Sequence, residues 1–184
     1  MMLIAALSVA VATVGLSLGQ PHLERPRGAE TPATESLGAA RRSLDDLVAA
    51  AGETGVRVAL ASGGGPLSRP DTLARIIEHD LDGSRVGICL DFGQAQLHGG
   101  VIDAIEEAGE HMIAACLHDN HGRRNERLMP LSGAISWDTA MMGAQKTGYD
   151  GVLMFDVDDG GNPDATLQRA ARARERLREM LTPC

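Results

Sequence analysis

Residues 86–120, VGICLDFGQAQLHGGVIDAIEEAGEHMIAACLHDN, decide the fold class. Two short apolar runs, VGICLD at 86–91 and MIAACLHD at 112–119, flank a segment whose apolar residues recur at helical spacing over 100–109. Neither run alternates, so both faces of the strand it forms must be covered. Each run turns polar only at its C-terminal end, at Asp91 in the first and at His118 and Asp119 in the second. A covered strand, a helix and a second covered strand make the repeating unit of a parallel α/β protein.

The same unit recurs on both sides. Upstream, Leu37, Ala40, Leu44, Leu47, Val48 and Ala51 form one apolar stripe with Arg41, Arg42, Asp45 and Asp46 between them. That spacing predicts an amphipathic helix, started by Thr34 or Ser36 and ended by Gly55. VRVALAS at 56–62 is the next strand, closing on Ser62, and Gly63-Gly64-Gly65-Pro66 breaks the chain after it. A helix is predicted over 71–81. Downstream, a helix over 137–147 leads into GVLMFD at 151–156, closing on Asp156. Asn162-Pro163, a capping residue and a first-turn proline, starts a last helix that is expected to bury Leu167, Ala170, Ala173, Leu177 and Leu181. Thr13 to Leu18 reads as an earlier strand, residues 19–34 as a long loop rich in Pro, Gly and charge, and Ala134-Ile135 as a short sixth strand.

Composition narrows the function. With 43% hydrophobic and 23% charged residues in 184, the chain is globular and long enough for one domain, spanning 1–184. Seventeen basic against 25 acidic residues give a net charge of −8, which opposes a nucleic-acid surface that must neutralise phosphates. The four aromatics, Phe92, Trp137, Tyr149 and Phe155, are too few for a base-stacking platform. Cys89, Cys116 and Cys184 lie far apart with no C-x-x-C pair, so neither a zinc ribbon nor a disulfide scaffold is expected. Met1 to Leu18 is apolar and uncharged. It reads either as a buried element of a cytoplasmic protein or as a signal-peptide core, and it is marginal in length for a membrane span.

The polar groups Ser62, Asp91, His118, Asp119 and Asp156 all close apolar runs, and parallel barrels build their active sites at that end of several strands. Doubly wound sheets also bind ligands there, but they usually carry a glycine-rich phosphate loop. Gly63-Gly64-Gly65 has neither the G-x-G-x-x-G spacing nor the Lys-Ser/Thr of a P-loop, so it reads as a plain loop. DVDDGG at 156–161 imitates a calcium loop but has Leu167 at the terminal ligand position, which favours a solvated acidic turn. Arginines between Arg169 and Arg178, interspersed with Glu175 and Glu179, read as the exposed face of the last helix.

The ordered set D-x-G-x-A from Asp91, LHDN-x-G from Leu117, G-x-I-x-W from Gly133 and GYDG-x-L-x-x-[DE] from Gly148 resembles the xylose isomerase-like TIM barrels. These are the sugar phosphate isomerases/epimerases, which share a superfamily with the AP endonucleases of family 2. The resemblance implies a partial (β/α)8 barrel with five or six parallel strands, because a complete one usually takes about 250 residues. It implies a small sugar or sugar phosphate as substrate; the net charge of −8 argues against a nucleic-acid partner, no membrane partner is expected, and a homo-oligomer is one means of closing the incomplete barrel. It also implies a divalent metal (Zn, Mn or Mg) held by Glu, Asp, His and Glu at the strand ends, with the two Glu moving a proton next to a ketose carbonyl.

Carried over residue by residue, the pattern is depleted. The first Glu falls on Ala61, the D-x-x-H pair on Asp91 and Gln94, and the next metal His on Cys116, while His118, Asp119 and Asn120 remain. The D-x-H pair falls on Asn125 and Arg127, the G-E-G turn on Leu131-Ser132-Gly133, the closing Glu on Asp156, and an upstream His on Ser17. The expected site is therefore Asp91, Cys116 and Asp156 as metal ligands, Asp156 as the proton-moving group, and His118 and Asp119 toward substrate. A thiolate in that set favours zinc over manganese or magnesium. One divalent ion or none, and an isomerase of reduced or lost activity against a non-catalytic binding protein, are the open alternatives.

Overall fold

The computed structural model describes residues 11–15, 33–81 and 83–181. The expected loop at 19–34, up to its last two residues, and Cys184 lie outside them. In chain order the elements are β1 (Val11–Gly15), α1 (Ala33–Thr54), β2 (Arg57–Ala61), α2 (Pro70–Asp80), β3 (Val86–Asp91), α3 (Phe92–Leu97), α4 (Val101–Ala108), β4 (Met112–Leu117), α5 (Trp137–Lys146), β5 (Val152–Phe155) and α6 (Pro163–Leu181). A single 3-10 turn, Gly109–His111, joins α4 to β4.

The five strands are all parallel and lie in the order β1-β2-β3-β4-β5. A doubly wound sheet reverses its strand order part-way; this one never does. The buried side chains explain the sequential order. Val58, Leu60, Ile88, Leu90, Ala115 and Leu117 point from the sheet into one core with Leu73, Ile77, Ile105, Trp137, Met141 and Leu177 of the helices. The other face carries smaller residues, Ala59, Cys89 and Ala114, with Ile113 and Cys116 packed against them. A register shift between Ile88 and Cys89 marks where β4 irregularly meets β3.

Three expectations are corrected. The first strand lies at Val11–Gly15 rather than at 13–18, and residues 16–18 are outside the described set. Ala134-Ile135 is not a strand: the Ala134 N–H donates to the Asn120 carbonyl at 2.8 Å and the segment bends into α5. A short helix, α3, follows β3 directly, because the Asp91 carboxylate accepts from the Gln94 N–H at 2.9 Å and caps it. In α6, Leu167 is 68% exposed while Thr166, Ala173 and Leu177 are buried. Leu167 sits about 100° around the helix from that stripe, and Thr166 takes the buried place by donating its hydroxyl to the Asp159 carbonyl. The start of α6 is as expected, with the Asn162 side chain accepting from the Ala165 N–H.

Candidate functional site

Register carries the polar strand ends to one place. Asp91 of β3 is the pairing partner of Cys116 in β4, Cys116 pairs with Met154 of β5, and the Asp156 N–H extends that pairing by donating to the Leu117 carbonyl. Asp91, Cys116 and Asp156 thus share the C-terminal mouth of the sheet. On β2, Ala61 pairs with Cys89 and contributes no polar side chain.

His118 is fully buried, with its ring laid against Gly93 so closely that a Cβ there would overlap it. Its Nε2 lies 2.9 Å from Asp91 Oδ1 but off the hydrogen-bond direction, so neither ring nitrogen has an aligned partner. The Asp91 carboxylate is nonetheless partly committed, since Oδ1 holds the Gln94 N–H. Its backbone N–H donates to Ser62 Oγ at 2.9 Å, which ties the ends of β2 and β3 together.

Asp119, expected toward substrate, turns its carboxylate into the protein. It is fully buried. Oδ1 accepts from the N–H groups of Asn120 and Ile135, and Oδ2 from the Gly133 N–H and the Trp137 indole Nε1. Four donors leave it nothing for a ligand. These donors explain G-x-I-x-W: Gly133, Ile135 and Trp137 all donate to one carboxylate, and only glycine fits at 133, where a Cβ would overlap it. Asn120 completes the stitching by donating from Nδ2 to the Gly93 carbonyl and accepting from the Gly122 N–H. His121 leaves the cluster for an exposed pair with Glu126, which holds that carboxyl below its usual pKa.

The residue whose role sequence reasoning missed is Arg127. Its guanidinium pairs with Asp156, across a separation of 29 residues. That pairing raises the arginine pKa, and Asp91 and Cys116 add to the effect. Its φ is 49°, in the left-handed region that non-glycine residues rarely adopt. A cation at that position was visible in the sequence; its reach to Asp156 was not. Gln94 lines a neighbouring hollow of about 180 Å³ with Ser62, Arg69 and His98.

These residues do not fit the metal that the resemblance implies. Among the described residues, no three His, Cys, Asp or Glu form a group that could hold an ion. Asp156 is engaged by a guanidinium. The Cys116 thiol lies 3.5 Å from the Cys89 thiol. Sharing hydrogen with Cys89, burial and the nearby carboxylates push its pKa well up. Two unit charges 4 Å apart interact by about 4 kcal/mol at an effective dielectric near 20, and a divalent ion beside a guanidinium would be repelled by roughly twice that. DVDDGG likewise spends its carboxylates on its own backbone, Asp158 on the Gly160 N–H and Asp159 on the Gly161 N–H.

A model of the xylose isomerase-like TIM barrel family matches residues 4–180. The chain belongs to that family. Among curated relatives, the uncharacterised protein y4fM of Sinorhizobium fredii is 31% identical over 100 residues, 52% of this chain and 32% of that protein. Two solved structures superpose well. A D-tagatose 3-epimerase-like protein has a TM-score of 0.71 at 23% identity, covering 94% of this chain and 62% of its own. The IOLI protein with a bound zinc atom has a TM-score of 0.68 at 17% identity, covering 84% and 61%. The chain therefore spans about a third of that curated relative and about three fifths of those structures. Among the described residues, no helix is long and apolar enough to cross a membrane.

Proposed function

We propose that this chain is a sugar- or sugar phosphate-binding protein on the isomerase/epimerase barrel, with proton transfer on a ketose reduced or lost. The Arg127–Asp156 pair carries the reading. Asp156 stands where the resemblance puts a proton-moving carboxylate, and a carboxylate held by a guanidinium is a poorer base. Ala61 stands where the opposed carboxylate would be, and losing one general base costs about 10²- to 10⁴-fold in rate. What is left suits recognition. Arg127 and Asp156, 47% and 40% exposed, put donors and acceptors side by side for neighbouring hydroxyls, with Asp91 beside them. The similarity to a D-tagatose 3-epimerase-like protein supports a ketose as ligand.

The test is a panel of ketoses and ketose phosphates, read by titration calorimetry for binding and by NMR in deuterated water for exchange next to the carbonyl. Binding without exchange above the buffer rate is expected. Exchange that disappears in Asp156→Asn would restore the catalytic reading, in which Asp156 moves the proton and His118 faces the substrate. The homo-oligomer is proposed on separate grounds: Val152 and Met154, on one face of β5, are 65% and 37% exposed. Sedimentation equilibrium decides it, since a monomer at all concentrations excludes that partner.

A further inference from the structure

We infer that Arg127 is the resident cation of the mouth, doing electrostatically what a divalent ion would otherwise be needed to do, and that it keeps such ions out. Three observations converge on it. The guanidinium pairs with Asp156, one of the three donors a metal would need. It also lies within electrostatic reach of the other two, Asp91 and Cys116. The backbone that presents it is pinned on both sides: the Arg127 carbonyl accepts from the Asp158 N–H at 3.0 Å, and neighbouring Leu128 exchanges both backbone hydrogen bonds with Asp119. Those anchors follow the same two strands, β4 and β5, that carry the donors. The left-handed backbone at Arg127 is thus held by the strand ends themselves.

The chemistry of the group fits the role. A guanidinium is charged at every pH the fold survives, and its planar fork offers several donors in fixed directions. Cation and carboxylate are therefore present together without any bound ion, and a ligand oxygen would meet Arg127 directly. The inference takes its location from the sugar-site reading, but a metal titration sees the cation and not the sugar, so each can fail without the other.

The experiment is calorimetric titration of the full chain with Zn²⁺ and with Mn²⁺, backed by elemental analysis, for the wild type, Arg127→Met, Arg127→Gln and Arg127→Lys. The wild type and Arg127→Lys are expected to show no saturable site. In Arg127→Met, Asp156 is released from the guanidinium to turn toward Asp91 and Cys116, and the variant is expected to take up one Zn²⁺ per chain where the wild type takes none, a gain that Asp91→Asn in that background abolishes. Arg127→Gln serves as a second neutral variant, and circular dichroism verifies that each is folded. One ion per chain in the wild type, with affinity unchanged in Arg127→Met, overturns the inference. So does a folded Arg127→Met and Arg127→Gln pair that gains no metal, because something other than the guanidinium would then exclude it.

Discussion

The Trp137 indole donates to Asp119 Oδ2 at 2.8 Å, and this one bond ties the start of α5 to the end of β4. Trp137 also stacks on Phe92, the first residue of α3, with ring centroids 6.0 Å apart and planes 16° from parallel. The mouth is thereby framed by a buried carboxylate and a pair of aromatic rings before any ligand-facing group is considered.

Asp119→Ala removes the acceptor for four donors at once. An unsatisfied buried donor costs about 1–3 kcal/mol, with partial relaxation, so a loss of about 3–5 kcal/mol is expected. Asp119→Asn, which keeps one acceptor but aims an amide N–H at another donor, falls in between. Urea unfolding followed by tryptophan fluorescence measures both, since Trp137 is the only tryptophan. A loss below about 1 kcal/mol for the alanine variant contradicts the structural role.

Gly93→Ala drives a methyl group into the buried His118 ring. Overpacking of this kind costs about 1–3 kcal/mol. The denaturation midpoint reads it, and the His118 ring proton shifts in NMR report the displaced ring.

Stability is expected to fall on the alkaline side. The neighbouring Cys89 thiol, burial and nearby carboxylates raise the Cys116 pKa, while burial chiefly raises that of Tyr149. In the unfolded chain these groups ionise near about 8.5 and 10. Above those values the unfolded state binds fewer protons than the folded one, so the stability they contribute is full below about pH 8 and is lost as pH rises. Thermal melts between pH 7 and 10.5 test the direction, and Cys116→Ala with Tyr149→Phe should flatten the decline.

Cys116 is half-buried and its thiol faces that of Cys89. Because only the thiolate attacks disulfide reagents, Cys116 should react with an aromatic disulfide at pH 8 at least about tenfold more slowly than a free peptide thiol. In a Cys184→Ser background, Cys89→Ala removes the paired thiol and should speed the reaction. Equal rates in the two proteins would dissociate the slow reaction from the thiol pair.

Much of the fold is legible along the chain because its causes are local. Continuous apolar runs mark β2 to β5 as strands, although one face of β5 is left exposed at Val152 and Met154, and the 3.6-residue stripes mark α1, α2, α4 and α5. Asn162 and Pro163 start α6 through bonds within one turn. Reading Leu167 as buried failed because a helical stripe tolerates a shift of one residue in sequence but not in space, and Thr166 had an acceptor at Asp159 to bury against. The polar strand ends were legible too, as a set.

What each of those ends does was decided only in three dimensions. Asp91, Asp119 and Asp156 look alike in sequence, each following an apolar run. Folded, one caps α3, one is saturated by donors up to 18 residues away, and one pairs with an arginine 29 residues before it. Apolar periodicity reports which face is buried, because burial averages over many side chains. The partner of a single carboxylate depends instead on where one loop lays one donor. That placement follows from the packing of 121–136 over the mouth, and no local spacing encodes it.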